Sequence, residues 1–369
     1  MINYLKNTSK QIIIYGLGAD GKKIVSQLLR ENIHIEKIID NNPALQGQKF
    51  QNIGIVSEAY LNEEKGIIAI VGCNNFKIIK ERLYAKGVTE VYGRKDMFII
   101  KRTTYPVLQF SETERPIVSI VVTAKDEWNY TYNCIESIYK RKTNVPFEVI
   151  LGDNCSTDET RIADRIFKGI KVIHHKTNLY YLGNCNETIK YAKGKYIYLL
   201  GNDTLVQNDY YLENFLKVLL NKKAIAVSAK TILPCNDEIP IATAQKYNSE
   251  GKLFWVEDRT QEVDFLLVTN MMILKEAWEY VGGYSTEYLP AYYEDNDLCM
   301  KLKYQGYKLF YLAQSSEVIH FEGVTVSQEQ NNSKKNYDLF LNKWGPFINV
   351  LKTKEFENEK GKRYGNGKK

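Results

Sequence analysis

Along the first hundred residues, short apolar runs alternate with amphipathic ones. Ile12–Tyr15 is a β-rich apolar run that leads into a glycine turn. Ile24, Val25, Leu28 and Leu29 then fall on one helical face, and a second strand ends at Asp40. This is a β-α-β unit. A strand over Gly66–Val71, a helix over Phe76–Lys86 and a short strand over Val88–Tyr92 continue the alternation and predict a small parallel sheet. From Lys101 to Arg115, Thr, Pro, Ser and Glu mix without sustained periodicity, which puts a domain boundary there. The pattern divides the chain into a domain over residues 1–105, a linker over 106–115, a second domain over 116–330, and a helix with a basic tail over 331–369.

The second alternation opens with a strand over Val118–Thr123. A helix around Tyr130–Tyr139, a strand Glu148–Leu151, a helix near Thr157–Phe167 and a strand Lys171–His174 follow. Next come a helix over Asn184–Ala192 and a strand Tyr196–Leu200. Ser156-Thr157-Asp158-Glu159 reads as a capping box, with serine accepting a backbone N–H and glutamate reaching back. Beyond Ala224, short strands, a Pro-marked loop (Leu233–Ile241) and a helix near Lys275–Val281 lead to an aromatic loop and a helix opening at Glu294.

Composition changes this picture little. The chain has 369 residues, 44% hydrophobic and 25% charged, which excludes a disordered chain and suits two cores plus a tail. The net charge of +6 includes cations of the tail from Lys352 to Lys369, which can touch an anionic membrane surface peripherally. Cysteines 73, 134, 155, 185, 235 and 299 form no C-x-x-C pair, so neither a zinc site nor a disulfide framework is suggested and a cytoplasmic setting is expected. The N-terminus lacks an apolar signal core, and runs such as Ile67–Val71 and Phe265–Val268 fall short of the ~18 residues of a membrane span.

The chemistry sits in four pieces. They are VSIVVTAKDEWNYTYNCIESI, FEVILGDNCSTDET, NLYYLGNCNETIKYAKGKYIYLLGNDTLV, and GGYSTEYLPAYYEDNDLCMKLKYQGYKLFYL with VIHFEG beyond it. In this order and spacing, across about residues 116–325, they resemble the family-2, GT-A-type inverting glycosyltransferases. The resemblance implies an α/β nucleotide-diphospho-sugar transferase fold whose first strand ends hold the donor nucleotide. Those ends supply Thr123, Ala124 and Asp126, then Asp153 and Asn154. Asp153 would accept the imide N–H of a uracil- or thymine-type base, or it caps the turn before the next helix.

Gly201-Asn202-Asp203 matches the family's Asp-Xaa-Asp motif with only the last acid kept. A divalent cation there, manganese or magnesium, would stabilise the departing diphosphate. Asn202 and Asp203 would lie at the donor, with Asp203 and His320 on the metal; the alternatives are a simple turn and a structural histidine. The second acid of Glu294-Asp295 is the family's general base, which maps onto Asp295 and leaves Glu294 to orient the acceptor or a neighbouring backbone group. Acids in a helix's first turn are also stabilised by its dipole, which accounts for Asp297 without catalysis. The chain departs from the family at Lys125, where an aromatic ring is frequent, and at Tyr180, where a glycine is. It departs again at Leu267–Asn270, where small residues line the donor sugar.

Gly16, Gly18 and Gly21 follow a strand and start a helix, and Asp40 ends the next strand, as in a dinucleotide fingerprint. This segment resembles the Rossmann-like domains that open sugar acetyltransferases. Residues 1–110 lack a Tyr-x-x-x-Lys pair, so redox or epimerase chemistry is not expected; a nucleotide-binding and an architectural role both remain. The expected partners are a UDP- or dTDP-linked sugar donor and a surface-glycan or lipid-linked oligosaccharide acceptor, with no nucleic acid. The rival reading is a non-catalytic sugar-nucleotide sensor, and an NAD-dependent oxidoreductase ranks last.

Overall fold

A computed structural model describes residues 2–62, 66–73, 76–93, 96, 104–232, 240–241, 244–248, 250, 252–256, 259–321 and 333–365. The expected Pro-marked loop 233–241 therefore lies largely outside the described residues, as do the end of VIHFEG and the last residues of the basic tail. The chain forms two compact units, Met1–Thr103 and Thr104–Ile232 with Ile239–Lys369.

In the first unit β1 (Gln11–Tyr15) is followed by α1 (Ala19–Arg30), β2 (Lys37–Ile39), β3 (Ile53–Val56), β4 (Ile67–Val71), α2 (Phe76–Ala85) and β5 (Glu90–Gly93). The strands lie in the order β3-β2-β1-β4-β5, every one of these pairs parallel, with Lys49–Phe50 as an antiparallel edge on β3. Alternation along β1 explains why both faces are covered. Ile12 and Ile14 pack with Ile24, Val25 and Leu28 of α1, while Ile13 and Tyr15 pack on the other side with Leu83 of α2. The turn from β1 into α1 needs glycine. Gly16 has φ +91°, and a Cβ on Gly21 would meet the Gly16 carbonyl oxygen at 1.9 Å.

The second unit begins with β6 (Val118–Ala124), α3 (Trp128–Lys140), β7 (Phe147–Asp153), β8 (Lys171–His174), α4 (Tyr180–Ile189) and β9 (Tyr196–Gly201). There follow β10 (Thr204–Val206), α5 (Tyr211–Lys222), β11 (Ala226–Ala229), β12 (Gln261–Val263) and β13 (Asn270–Leu274). The last elements are α6 (Lys275–Tyr280), α7 (Glu294–Tyr304), β14 (Leu309–Leu312), β15 (Val318–His320) and α8 (Ser333–Gly365). The main sheet runs β8-β7-β6-β9-β13-β11-β14-β12; its first four strands are parallel and β13 is antiparallel to β9. All seven residues of β6 are buried, as expected of a strand covered on both faces. Val121 points to one core with α4 and α8, and Ile120 and Val122 to the other with α3 and α5.

Three local expectations change. No helix spans 157–167: a short 3-10 turn over Glu159–Ile162 and one helical turn over Ala163–Ile166 give way to a strand at Phe167–Lys168. Phe167 is buried against the Trp128 and Tyr132 rings, and that packing outweighs the local helical pattern. The capping box does not form. Ser156 Oγ instead accepts the Asp126 N–H at 2.7 Å, and Asp158 is the cap, accepting from Thr160 N at 3.0 Å and Trp128 N at 2.7 Å. Residues 108–109, within the expected linker, pair with 167–168, and Leu108 and Phe110 are buried in the core of the second unit.

Helix α8 is bound to α7 through Asp297, which is fully buried. It accepts from Ser285 Oγ at 2.6 Å and Trp344 Nε1 at 2.8 Å, and it pairs with Lys343 at 2.9 Å and Lys301 at 3.5 Å. Burial pushes its pKa up, but these hydrogen bonds and cations outweigh that and hold it below the ordinary carboxylate value. A depressed folded pKa contributes stability above the unfolded value that is lost as pH falls through the folded one. Asp297→Ala removes the carboxylate that Lys301, Lys343 and Trp344 share, leaving Trp344 Nε1 without that acceptor and Lys301 with only the Gly283 carbonyl and Ser285 hydroxyl, and urea unfolding of the second unit should show a loss of about 3–5 kcal/mol at neutral pH. The deficit should shrink below the carboxylate range.

Candidate active site

Two groups of side chains lie at one end of adjoining strands. β9 ends at Gly201, and its antiparallel neighbour β13 starts at Asn270, in register with Leu200. The chain beyond Gly201 and the chain before Asn270 therefore leave the sheet together.

Asp203 sits in the turn between β9 and β10. β10 pairs antiparallel with β15 in a register that sets Thr204 opposite His320. The sequence-predicted metal pair thus meets: Asp203 Oδ2 is 3.3 Å from His320 Nε2, with side-chain exposures of 14% and 18%. Among the described residues no group of three or more His, Cys, Asp and Glu side chains converges, so the described residues supply two donors here. One carboxylate and one imidazole fit a manganese or magnesium ion whose other positions are filled by substrate oxygens and water. Asn202 does not face out. It is buried, and its Nδ2 donates to Thr131 Oγ1 at 3.0 Å, so it fixes the turn that presents Asp203.

Asp295 lies in the first turn of α7. Tyr292 and Tyr293 just before it have φ +79° and +70°, left-handed conformations that bulky residues adopt at a cost of roughly 1–2 kcal/mol each. Asp295 Oδ2 accepts the Val268 N–H at 3.2 Å and Oδ1 accepts the Tyr284 hydroxyl at 3.0 Å. Tyr284 is itself clamped, since Asn186 Oδ1 accepts its N–H at 3.0 Å and Asn186 Nδ2 donates to its carbonyl at 2.9 Å. Burial raises the Asp295 carboxyl above its ordinary value against the pull of those two donors. Burial raises Glu294 too, with the Asp295 charge adding to it. The Cys185 thiol of α4 is pushed up to about 12, chiefly by burial, with the Asp295 charge adding to it.

The remaining expected donor residues are held by the protein. Thr123 and Ala124 are buried at the end of β6, where the Ala124 carbonyl accepts the Asn154 N–H at 2.8 Å. Asp126, at φ +53°, accepts from Thr157 N at 2.5 Å and pairs with Lys125 at 2.6 Å. Asp153 is 2% exposed, and both its oxygens are engaged, by Ser156 N at 3.0 Å and His174 Nδ1 at 2.7 Å. Asn154 is buried and bridges to Asn178 and Leu179 N, both at 2.7 Å. The Asp153 carboxylate is thus held within the turn by protein groups, one on each oxygen. Tyr180, the departure from glycine, sits at φ +56°, a conformation that glycine adopts without strain.

Sequence reasoning did not single out His174, Tyr284 or Asn186. His174 faces Asp153 because β7 and β8 pair in that register, which nothing local encodes. The Gly282-Gly283 pair before Tyr284, both at positive φ, was a signal for a special turn.

In the first unit Asp40 Oδ2 accepts the Leu17 N–H at 2.7 Å and Oδ1 accepts the Asn42 N–H at 2.8 Å. Its carboxylate pins the glycine turn. Gly18 has open space around it, whereas Gly16 and Gly21 are packed against Cys73 and each other.

An open sheet with charged side chains gathered past its strand ends is the arrangement of a nucleotide-diphospho-sugar transferase of GT-A type. Residues 119–279 match the Glycosyl transferase family 2 model, and residues 8–91 match the family described as C2185-like, N-terminal. The chain carries a family-2, GT-A-type glycosyltransferase domain. It is similar to the O-antigen chain rhamnosyltransferase WbaN of Salmonella anatum, 23% identical over 55% of this chain and 64% of the relative. It is also similar to the hyaluronan synthase of Pasteurella multocida, 24% identical over 71% of this chain and 26% of the relative. The chain thus spans less than two thirds of either relative's length. Among solved structures it resembles that of GalNAc-T7 with UDP, GalNAc and Mn2+ (TM-score 0.51, 15% identity, 64% of this chain and 50% of that one), a likeness of fold.

Replacing His174 by alanine leaves the Asp153 carboxylate buried beside one remaining N–H. Chemical unfolding should register a loss of about 1–3 kcal/mol in the second unit.

Proposed function

We propose that the second unit transfers a monosaccharide from a UDP- or dTDP-linked donor to a hydroxyl of a surface glycan or lipid-linked oligosaccharide, with inversion at the anomeric carbon. The observation that carries this reading is the arrangement of Asp203 with His320 and of Asp295 with Val268 at the same end of β9 and β13. Glycosyl transfer is the activity named for both relatives, and the second unit holds the matched domain.

In this reading Asp203 and His320 would hold a divalent cation, whose chemistry would be to offset charge on the leaving diphosphate. Asp295 accepts the proton of the acceptor hydroxyl as its oxygen attacks from the face opposite the leaving group. The Val268 N–H and the Tyr284 hydroxyl fix the orientation of that carboxylate, so little reorganisation is needed when the proton moves. Glu294 orients the acceptor beside it. Asp153 supports the nucleotide through the loop it caps rather than by touching the base. The first unit serves as an architectural or nucleotide-binding companion. The basic tail offers peripheral contact with an anionic membrane face, and no helix among the described residues is long and apolar enough to cross a membrane.

Nucleotide release from UDP- and dTDP-sugars without acceptor should require Mn2+ or Mg2+ and fall by about 10²-fold or more in Asp203→Ala, the scale of losing one transition-state stabiliser. Unchanged release in that variant, with or without EDTA, would remove the assigned role of Asp203.

A base must be ionised to work, and a raised carboxyl pKa keeps Asp295 protonated to higher pH than an ordinary aspartate. The acid limb of kcat for transfer should therefore lie above the ordinary aspartate range near pH 4. Asp295→Asn should abolish that limb and lower kcat by about 10²–10⁴. Full turnover in Asp295→Asn would assign the proton to another group.

A further inference from the structure

Helix α8 lies beyond the stretch that matches the family, yet it walls a cavity that holds the α7 acids. The cavity has a volume of ≈ 660 Å³, within the range of about 300–1,000 Å³ usual for small-molecule sites. Its walls are aromatic: Tyr247, Tyr292 and Tyr293 face Tyr337 and Phe340 of α8. Tyr337 is 43% exposed at the mouth, its ring 5.5 Å from that of Tyr293.

Two charged side chains enter this lining. Glu294 Oε2 is buried there without a hydrogen-bond partner among the described residues, a donor or acceptor that something else must satisfy. Lys352 of α8 is half-buried with its Nζ 5.0 Å from the centroid of the Tyr247 ring. Among the residues whose side chains are described, no carboxylate pairs with it. A ring face recovers part of what an ammonium loses on leaving water, but an anion on a ligand would recover more through a charge-assisted hydrogen bond. Flat aromatic faces with few convergent polar groups suit a sugar, whose ring faces carry C–H bonds and whose rim carries hydroxyls. Glu294 does not oppose an anion there, because burial and the Asp295 charge favour its neutral, proton-donating form.

Resting on the glycosyl-transfer reading above, we propose that the α8 wall of this cavity selects an acidic glycan acceptor: the aromatic rings pack on its sugar faces, and Lys352 binds a carboxylate or phosphate that it carries. The acid would come from a uronic acid or from a phosphorylated sugar.

Saturation-transfer NMR titrations on the full chain test this with methyl β-D-glucuronide, methyl β-D-glucoside 6-phosphate and neutral methyl β-D-glucoside. At least one anionic probe should bind about fivefold tighter than the neutral one, and the tighter of the two identifies the source of the acid. Lys352→Met should reduce that preference to about unity and Lys352→Arg should keep it, while Tyr337→Ala should weaken all three probes together. Equal affinities in the unaltered chain, no measurable binding of either anion, or a preference that survives Lys352→Met would overturn the proposal. UDP binding in the presence of Mn2+, followed by calorimetry, should be unchanged in all three variants. Its absence from the unaltered chain would count against the glycosyl-transfer reading itself, and so separates the two failures.

Discussion

The pairing of β10 with β15 is the constraint on which the candidate centre depends. Asp203 and His320 lie far apart in sequence, and neither is part of a local motif that would hold the other. The register that sets Thr204 against His320 brings their side chains within 3.3 Å. A slip of one residue would turn His320 to the other face of the strand pair and leave Asp203 alone. The buried contact of Asn202 with Thr131 of α3 makes the same demand from the other side, since it fixes the turn from which Asp203 projects.

The acids opening α7 illustrate how neighbours rather than residue type assign work. Asp297 is ionised and stabilising because Lys301, Lys343 and Trp344 surround it. Asp295, two residues earlier, meets only a backbone N–H and a phenol, so burial raises its proton affinity instead. Glu294 has an oxygen with no hydrogen-bond partner among the described residues and lines the aromatic cavity. A helix dipole favours all three alike and so cannot distinguish them. The difference comes from α8, which reaches Asp297 and leaves the space beside Glu294 open.

The first unit shows a similar economy. Asp40 stands where the acid of a dinucleotide fingerprint would be expected, and its oxygens hold the backbone of Leu17 and Asn42. Asp153 behaves the same way in the second unit, shared between Ser156 N–H and His174. In both places a carboxylate at a strand end first satisfies the turn that follows. Chain segments leaving a parallel sheet expose backbone donors that must be met.

The α/β class, the alternation of strands and helices along the chain, the position of the motifs and the pairing of acid with helix start were legible in the sequence. Each rests on local periodicity or on residues adjacent in the chain. The strands expected over Val118–Thr123 and Tyr196–Leu200 are found as Val118–Ala124 and Tyr196–Gly201, and the helix expected to open at Glu294 opens there. What local pattern could not supply was any contact between distant segments: the His174 partner of Asp153, the Tyr284 clamp on Asp295, or the strand at Phe167 where a helix was expected. The α8 wall across the cavity belongs to the same class. Those depend on register and on which faces pack, and the free energy of packing exceeds the small local preferences that a sequence displays.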